Sequence, residues 1–278
     1  MKKIILKILL LGFLGLQGAY AMECSAIYGE GKEELKLATG SPGELGLLEE
    51  LAKAFNQKHS SKICWYKAGT GESLKLLKNL EVDVIMIHNP KAEKEAIKEG
   101  WAKNRTLIGS NEFYILGPKD DPAGIKNAKS AKEAYEKIAQ KQALFYTRAD
   151  NSGTHKKEML IWKSAGIEPK GTWYVANKDF MLATLKKADD TKGYFMSDSS
   201  TYLLAKKDLK NLELLFSKDK ILINTYVAMT TAKPSKLALE FIDFLVSKQA
   251  QDIIANYGED KFGEKLYQDA EYAKKYFD

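Results

Sequence analysis

The chain has 278 residues, 45% hydrophobic and 29% charged, with a formal net charge of +6. Three of the positive charges, Lys2, Lys3 and Lys7, fall within the first 21 residues, which leaves +3 on the remainder. There the lysines alternate with acids, as in Glu93-Lys94-Glu95, a solvated surface that argues against nucleic acid as a partner. Residues 4–16 are almost wholly apolar, and Ala19 and Ala21 offer small residues before Met22. This predicts a signal peptide over 1–21, cleaved on export to the periplasm. Its apolar core is too short to span a bilayer, and Glu23 stands before Cys24 where a lipoprotein signal needs a small residue. Cys24 and Cys64 are the only cysteines. In an oxidising compartment one disulfide between them is expected, with two free thiols as the alternative.

Past the leader, strand-like and helix-like segments alternate. Residues 36–39 read as a short strand, after which Leu48, Leu51, Ala52 and Phe55 mark one helix face. Residues 63–68 form a strand ending in Gly69-Thr70-Gly71, and 72–79 a helix with Leu74 and Leu77 inward. Residues 82–88 are a mostly apolar strand, and 91–99 a helix stopped by Gly100. A strand at 113–116 is broken by Gly117-Pro118, and a polar helix follows at 130–140. The apolar run 143–146 leads through a turn into a helix closed by Gly166. Next come a helix at 179–187, a strand at 193–196, a short helix at 199–205 and an extended strand at 221–230. An amphipathic helix at 234–247 and a helical tail with Tyr267, Tyr272 and Tyr276 finish the chain.

Such alternation predicts an α/β fold built on mainly parallel sheets flanked by helices. Two regions, 111–122 and 215–224, resist a single sheet. If the chain leaves one lobe at the first and returns at the second, two crossover strands join two lobes. Lobe 1 is then 22–112 plus 226–278, and lobe 2 is 113–225. This is the plan of a type II periplasmic binding protein.

Three turns share one chemistry: Thr39-Gly40-Ser41, Gly69-Thr70-Gly71, and the stretch from Arg148 through Ser152, Gly153 and Thr154. Each follows a strand and opens a helix, where ligands gather in doubly wound sheets. Helix amino termini there present unpaired N–H groups and the positive end of the dipole. Glycine lets the backbone approach, hydroxyls add donors, and Arg148 adds a fixed fork carrying a full charge. The set is a candidate oxyanion site. Each hydroxyl also has a bland reading as a helix cap, and Arg148 as a structural partner of Asp150.

The stretches LATGS, AGTGESLKLLKNLEVDVIMIHNPKAEKEAIKEGW, NEFYILGPKDDPAGI, TRADNSGTHKKEMLIWKSAGI and PKGTWYV together resemble the tungstate-binding proteins of Tup-type ABC transporters. The resemblance runs from about Leu37 to about Tyr202. It implies a monomeric two-lobed binding protein, not an enzyme, that passes tungstate or molybdate to a membrane permease and needs no cofactor. It also implies an anion held by Thr39, Gly40, Ser41, Thr70, Arg148, Ser152, Gly153 and Thr154. The chain departs from the family at three places. The first turn is a residue shorter with Leu45 in place of a serine, Ala149 replaces a glycine, and Asp198-Ser199-Ser200 lacks the arginine usual there. A phosphate-binding protein has a similar plan and a similar Arg-x-Asp-x-Ser-Gly-Thr turn, and remains the alternative, with an oxyanion-handling enzyme behind it. His155 and Glu158 read as a surface pair on a helix, too few for a metal, and His88 as a wall of the cleft. The sequence holds no nucleotide phosphate loop, HExxH or Ser–His–Asp set.

Overall fold

The computed structural model describes residues 23–277, and the expected signal peptide lies outside them. The first half of the chain forms β1 (Ala26–Tyr28), β2 (Glu33–Thr39), α1 (Ser41–Glu44), α2 (Leu47–Asn56), β3 (Ser61–Lys67), α3 (Thr70–Lys78), β4 (Val84–Ile87) and α4 (Pro90–Lys98). The chain then runs through β5 (Ala102–Pro118), α5 (Ala131–Lys141), β6 (Phe145–Thr147), α6 (Gly153–Ser164), β7 (Tyr174–Ala176) and α7 (Met181–Thr191). It continues through β8 (Tyr194–Asp198), α8 (Ser199–Ala205), β9 (Leu212–Phe216), β10 (Ile223–Thr231), α9 (Lys236–Leu245) and α10 (Lys248–Asn256).

The strands hydrogen-bond in the order β1-β3-β2-β4-β10-β5-β8-β6-β7, with β9 also on β5. The α/β expectation holds, but the sheets are mixed rather than mainly parallel. β2 is parallel to β3 and β4, and β6 to β7 and β8. β10 runs antiparallel to β4 and β5, and β5 antiparallel to β8 and β9. β10 thus runs against the parallel strands of the first sheet, and β5 against those of the second.

β5 is the outcome the sequence pattern concealed. Residues 102–112 pair with β10, from Ala102 opposite Thr231 to Glu112 opposite Ile223. Residues 113–118 pair with β8 and β9. One strand of 17 residues therefore belongs to both sheets. The return path is residues 217–222, a loop and a short 3-10 turn between β9 and β10. Beside these two crossings, Asn224 Nδ2 donates to Asn111 Oδ1 at 2.7 Å, and Asn111 Nδ2 donates to Ser200 Oγ at 2.9 Å.

Each sheet has its own core. In the first, α2 lays Leu48, Leu51, Ala52 and Phe55 inward, and Phe55 meets Phe241 of α9 edge-on at 5.1 Å between centroids. In the second, fully buried Trp162 packs on Tyr135 at 4.3 Å and Phe145 at 5.4 Å. Burying one such side chain contributes roughly 1.5–3 kcal/mol. Cys24 and Cys64 form a disulfide with Cα atoms 5.4 Å apart, tying the segment before β1 to β3.

Candidate functional site

The parallel strands β2, β3 and β6 each end in a turn that opens a helix. Gly40 caps α1 and Gly69 caps α3, neither with a side-chain bond to the helix. Glycine caps leave the first N–H groups of these helices unspent by side chains. In the third turn Ala149 and Asn151 take left-handed backbone, at φ 49° and 59°. Asp150 Oδ1 accepts from Ser152 N at 3.0 Å, and Ser152 Oγ accepts from His155 N at 3.3 Å. The second and third turns touch: a Cβ on Gly69 would lie 3.4 Å from Ser152 Cβ.

Gly40, Ser41 and Thr70 from the first sheet's turns, and Arg148 and Ser152 from the second's, line one small cavity of about 20 Å³. That volume admits one compact occupant. Arg148 is buried, its Nη2 donates to Asp150 Oδ2 at 2.5 Å and its Nε to the Asp179 carbonyl at 3.1 Å. A guanidinium has five N–H donors, so these bonds fix its plane while leaving capacity toward the cavity. Thr70 Oγ1 is buried without a hydrogen-bond partner. A buried polar atom left so is a marked exception.

Besides Asp150, two carboxylates stand near, and both are engaged. Glu44 lines the cavity but accepts from Lys67 Nζ at 2.9 Å. Asp198 accepts from Thr201 N at 2.9 Å and Thr201 Oγ1 at 2.8 Å, and more weakly from Ser41 Oγ at 3.5 Å. Burial holds the Asp198 carboxyl above its ordinary pKa, and the Thr201 donors oppose that. Burial likewise lowers the pKa of His88 to about 3, so its ring is neutral.

Five of the eight expected anion residues therefore share the cavity wall. Thr39 does not, because its hydroxyl donates to the Met86 carbonyl at 2.8 Å within the sheet. Gly153 lies beneath His88, where a Cβ would come within 2.4 Å of the ring; it makes room rather than facing the cavity. Thr154 is buried and is not among the lining residues. His88 is a wall, as expected. The reading of His155 and Glu158 as a surface pair fails. Glu158 is buried, accepting from Tyr174 Oη at 2.5 Å and Trp162 Nε1 at 3.2 Å. Burial raises its pKa to about 7.

Phe180 and Tyr226 also line the cavity, and no sequence motif marks them. Phe180 falls inside the expected helix 179–187, whereas α7 begins at Met181 and leaves Phe180 as its cap. Tyr226 sits on β10, where only the threading of the chain aims it at the turns. Among the described residues no group of three or more His, Cys, Asp or Glu could hold a metal, and no helix is long and apolar enough to cross a membrane. A larger groove of about 820 Å³ shares His88 with the cavity and is edged by Lys91, Lys156 and Lys220. Neither Arg148 nor Thr70 faces it.

The model of the PBP superfamily domain matches residues 26–249. A tungstate-binding protein, TupA, of Peptoclostridium acidaminophilum is 33% identical over 82% of this chain and 82% of its own. That of Campylobacter jejuni is 34% identical over 78% of this chain and 84% of its own. Among solved structures, the tungstate ABC transporter protein of Geobacter sulfurreducens is 37% identical, with a TM-score of 0.74 over 82% of this chain and all of that one.

Proposed function

The chain belongs to the PBP superfamily and to the family of its tungstate-binding relatives, and on that premise we propose that it captures tungstate or molybdate in the cavity between its halves. The observation that carries this is the pairing of an unspent, buried Thr70 hydroxyl with the buried Arg148 fork in a cavity for one compact guest. Lobe 1 (22–112 plus 226–278) and lobe 2 (113–225) close over the anion, and the closed monomer delivers it to a membrane permease from the periplasm. No step requires a cofactor.

The anion is held by Gly40, Ser41, Thr70, Arg148 and Ser152, with the open first turns of α1 and α3 adding backbone N–H groups. Exclusion of water strengthens each of these charge-assisted bonds. Near neutral pH tungstate is fully deprotonated and only accepts hydrogen bonds, whereas phosphate brings a proton that needs an acceptor. Glu44 and Asp198 are already engaged by Lys67 and Thr201, which favours the deprotonated anion.

One observation supports the phosphate reading. His88 lines the cavity, its ring bonds to the Asn224 side chain, and its Nδ1 has no partner. With Nε2–H given to Asn224, Nδ1 is an acceptor. Calorimetric titration of the exported protein with tungstate, molybdate, phosphate and sulfate decides between them. Tight tungstate and molybdate binding with weak phosphate binding is the expected result, and tight phosphate binding that His88→Phe abolishes would reverse it.

A further inference from the structure

Phe180 carries no hydrogen-bonding side-chain group and lies outside the three turns, yet its ring lines the anion cavity. Charges from both halves hold it. Lys67 Nζ, at the end of β3, lies 4.2 Å from the ring centroid, and the Arg148 guanidinium carbon 5.6 Å. Lys67 is itself anchored by Glu44 at 2.9 Å. On the other side, the Phe180 N–H donates to Asp179 Oδ1 at 2.7 Å, and the Asp179 carbonyl accepts from Arg148 Nε at 3.1 Å. Lys178 N donates to the Arg148 carbonyl at 3.0 Å. Phe180 and Arg148 therefore belong to one hydrogen-bonded unit, while Lys67 comes from the other sheet.

Resting on the reading of this cavity as an oxyanion site, we propose that Phe180 is its gate. The ring closes the mouth by docking on Lys67 across the cleft, and the lifetime of that contact sets how long the anion stays. The pairing suits the task. A ring face attracts a cation without offering a polar atom that would compete for the anion. It also excludes the water that would otherwise weaken the anion's bonds. Entry occurs while the mouth is open and does not depend on the ring; exit requires the ring to leave Lys67. The gate therefore acts on the off-rate, where differences among variants of one site usually fall.

The test is release of radiolabelled tungstate from preloaded protein into excess unlabelled tungstate, with association followed separately by tryptophan fluorescence. Trp65 is a reporter in place, since its Nε1 donates to the Thr39 carbonyl at 2.9 Å beneath the first turn. Phe180→Ala is expected to speed release by about tenfold or more while changing association by less than about threefold. Phe180→Leu, which keeps apolar bulk without the ring face, falls between Phe180→Ala and wild type. Thermal melting of the anion-free variants is measured alongside, and release is compared only among variants that melt like wild type. Equal release from wild type and Phe180→Ala, or a change confined to association, would overturn the gate while leaving the anion site intact. A wild-type protein that takes up neither tungstate nor molybdate would overturn the site itself, and the gate with it.

Discussion

Arg148 is one of only two arginines in the chain, and the two serve different ends. Arg105 pairs with buried Glu93 at 2.9 Å and lies over the Phe277 ring at 4.1 Å, remote from the cavity. Arg148→Ala is expected to weaken tungstate binding by roughly 2–4 kcal/mol, whereas Arg105→Ala leaves affinity within about threefold of wild type; equal losses in calorimetry would remove Arg148 from the site. Buried titratable groups give a second prediction. Burial raises the pKa of Glu158 from its ordinary value of 4.5 to about 7. Its folded form holds the proton, so the stability it contributes is full below about pH 4.5 and is lost as pH rises through about 7. His88, lowered to about 3, acts in the opposite sense, since its contribution is full above its ordinary pKa and is lost as pH falls toward 3. Glu158→Gln keeps an acceptor for Tyr174 and Trp162 but cannot ionise. Relative to wild type it is expected to gain about 1–3 kcal/mol between pH 5 and pH 8, read from urea midpoints at both values. A difference that does not change with pH would mean that the carboxyl titrates normally. Five of the eight residues expected from the sequence line the cavity, because a strand, a glycine turn and a helix start are local features. The sequence could not expose Phe180 or Tyr226, whose place depends on which strand lies beside which, nor show that the Thr39 hydroxyl is taken by the Met86 carbonyl.

At the scale of elements the same division appears. Helices with a full apolar stripe, such as α2 and α9, stand out because burial repeats every 3.6 residues. β1 and β7, each of three residues, are too short to show any period, and both lie at the ends of the strand order. The first part of β5 shows no strand pattern because Lys103, Asn104 and Arg105 interrupt any alternation, and it is a strand only because β10 pairs with it. β1 also illustrates how a short edge strand is kept in place. It pairs with β3 over three residues, and the Cys24–Cys64 bridge closes a loop of sequence separation 40 beside it. By the chain-entropy account such a bridge stabilises by about 4 kcal/mol. Cys24→Ser with Cys64→Ser is expected to lower the unfolding free energy by about 2–4 kcal/mol while leaving tungstate affinity nearly unchanged. The bridge lies at the far edge from β10 in the strand order. Urea denaturation with and without reductant, beside the double variant, checks this, and a variant as stable as the oxidised protein would refute it.

For the molecule as a whole, the cavity is lined from both sheets, so an open form must separate its two walls. We expect the radius of gyration from solution scattering to fall on addition of saturating tungstate, and an unchanged curve would argue that the halves are fixed. The chain passes between the sheets only at β5 and at the 217–222 connection, so bending is expected at these two places. The position of β10 has a consequence for how the protein is made. It lies between β4 and β5 in the middle of the strand order, yet it is the last strand synthesised. Without residues 223–231, β4 and β5 lack the strand that joins them. Contacts between such distant parts of a chain form slowly. The first sheet is therefore expected to be completed late, a delay that suits a chain exported before it folds, as the leader expected over 1–21 implies.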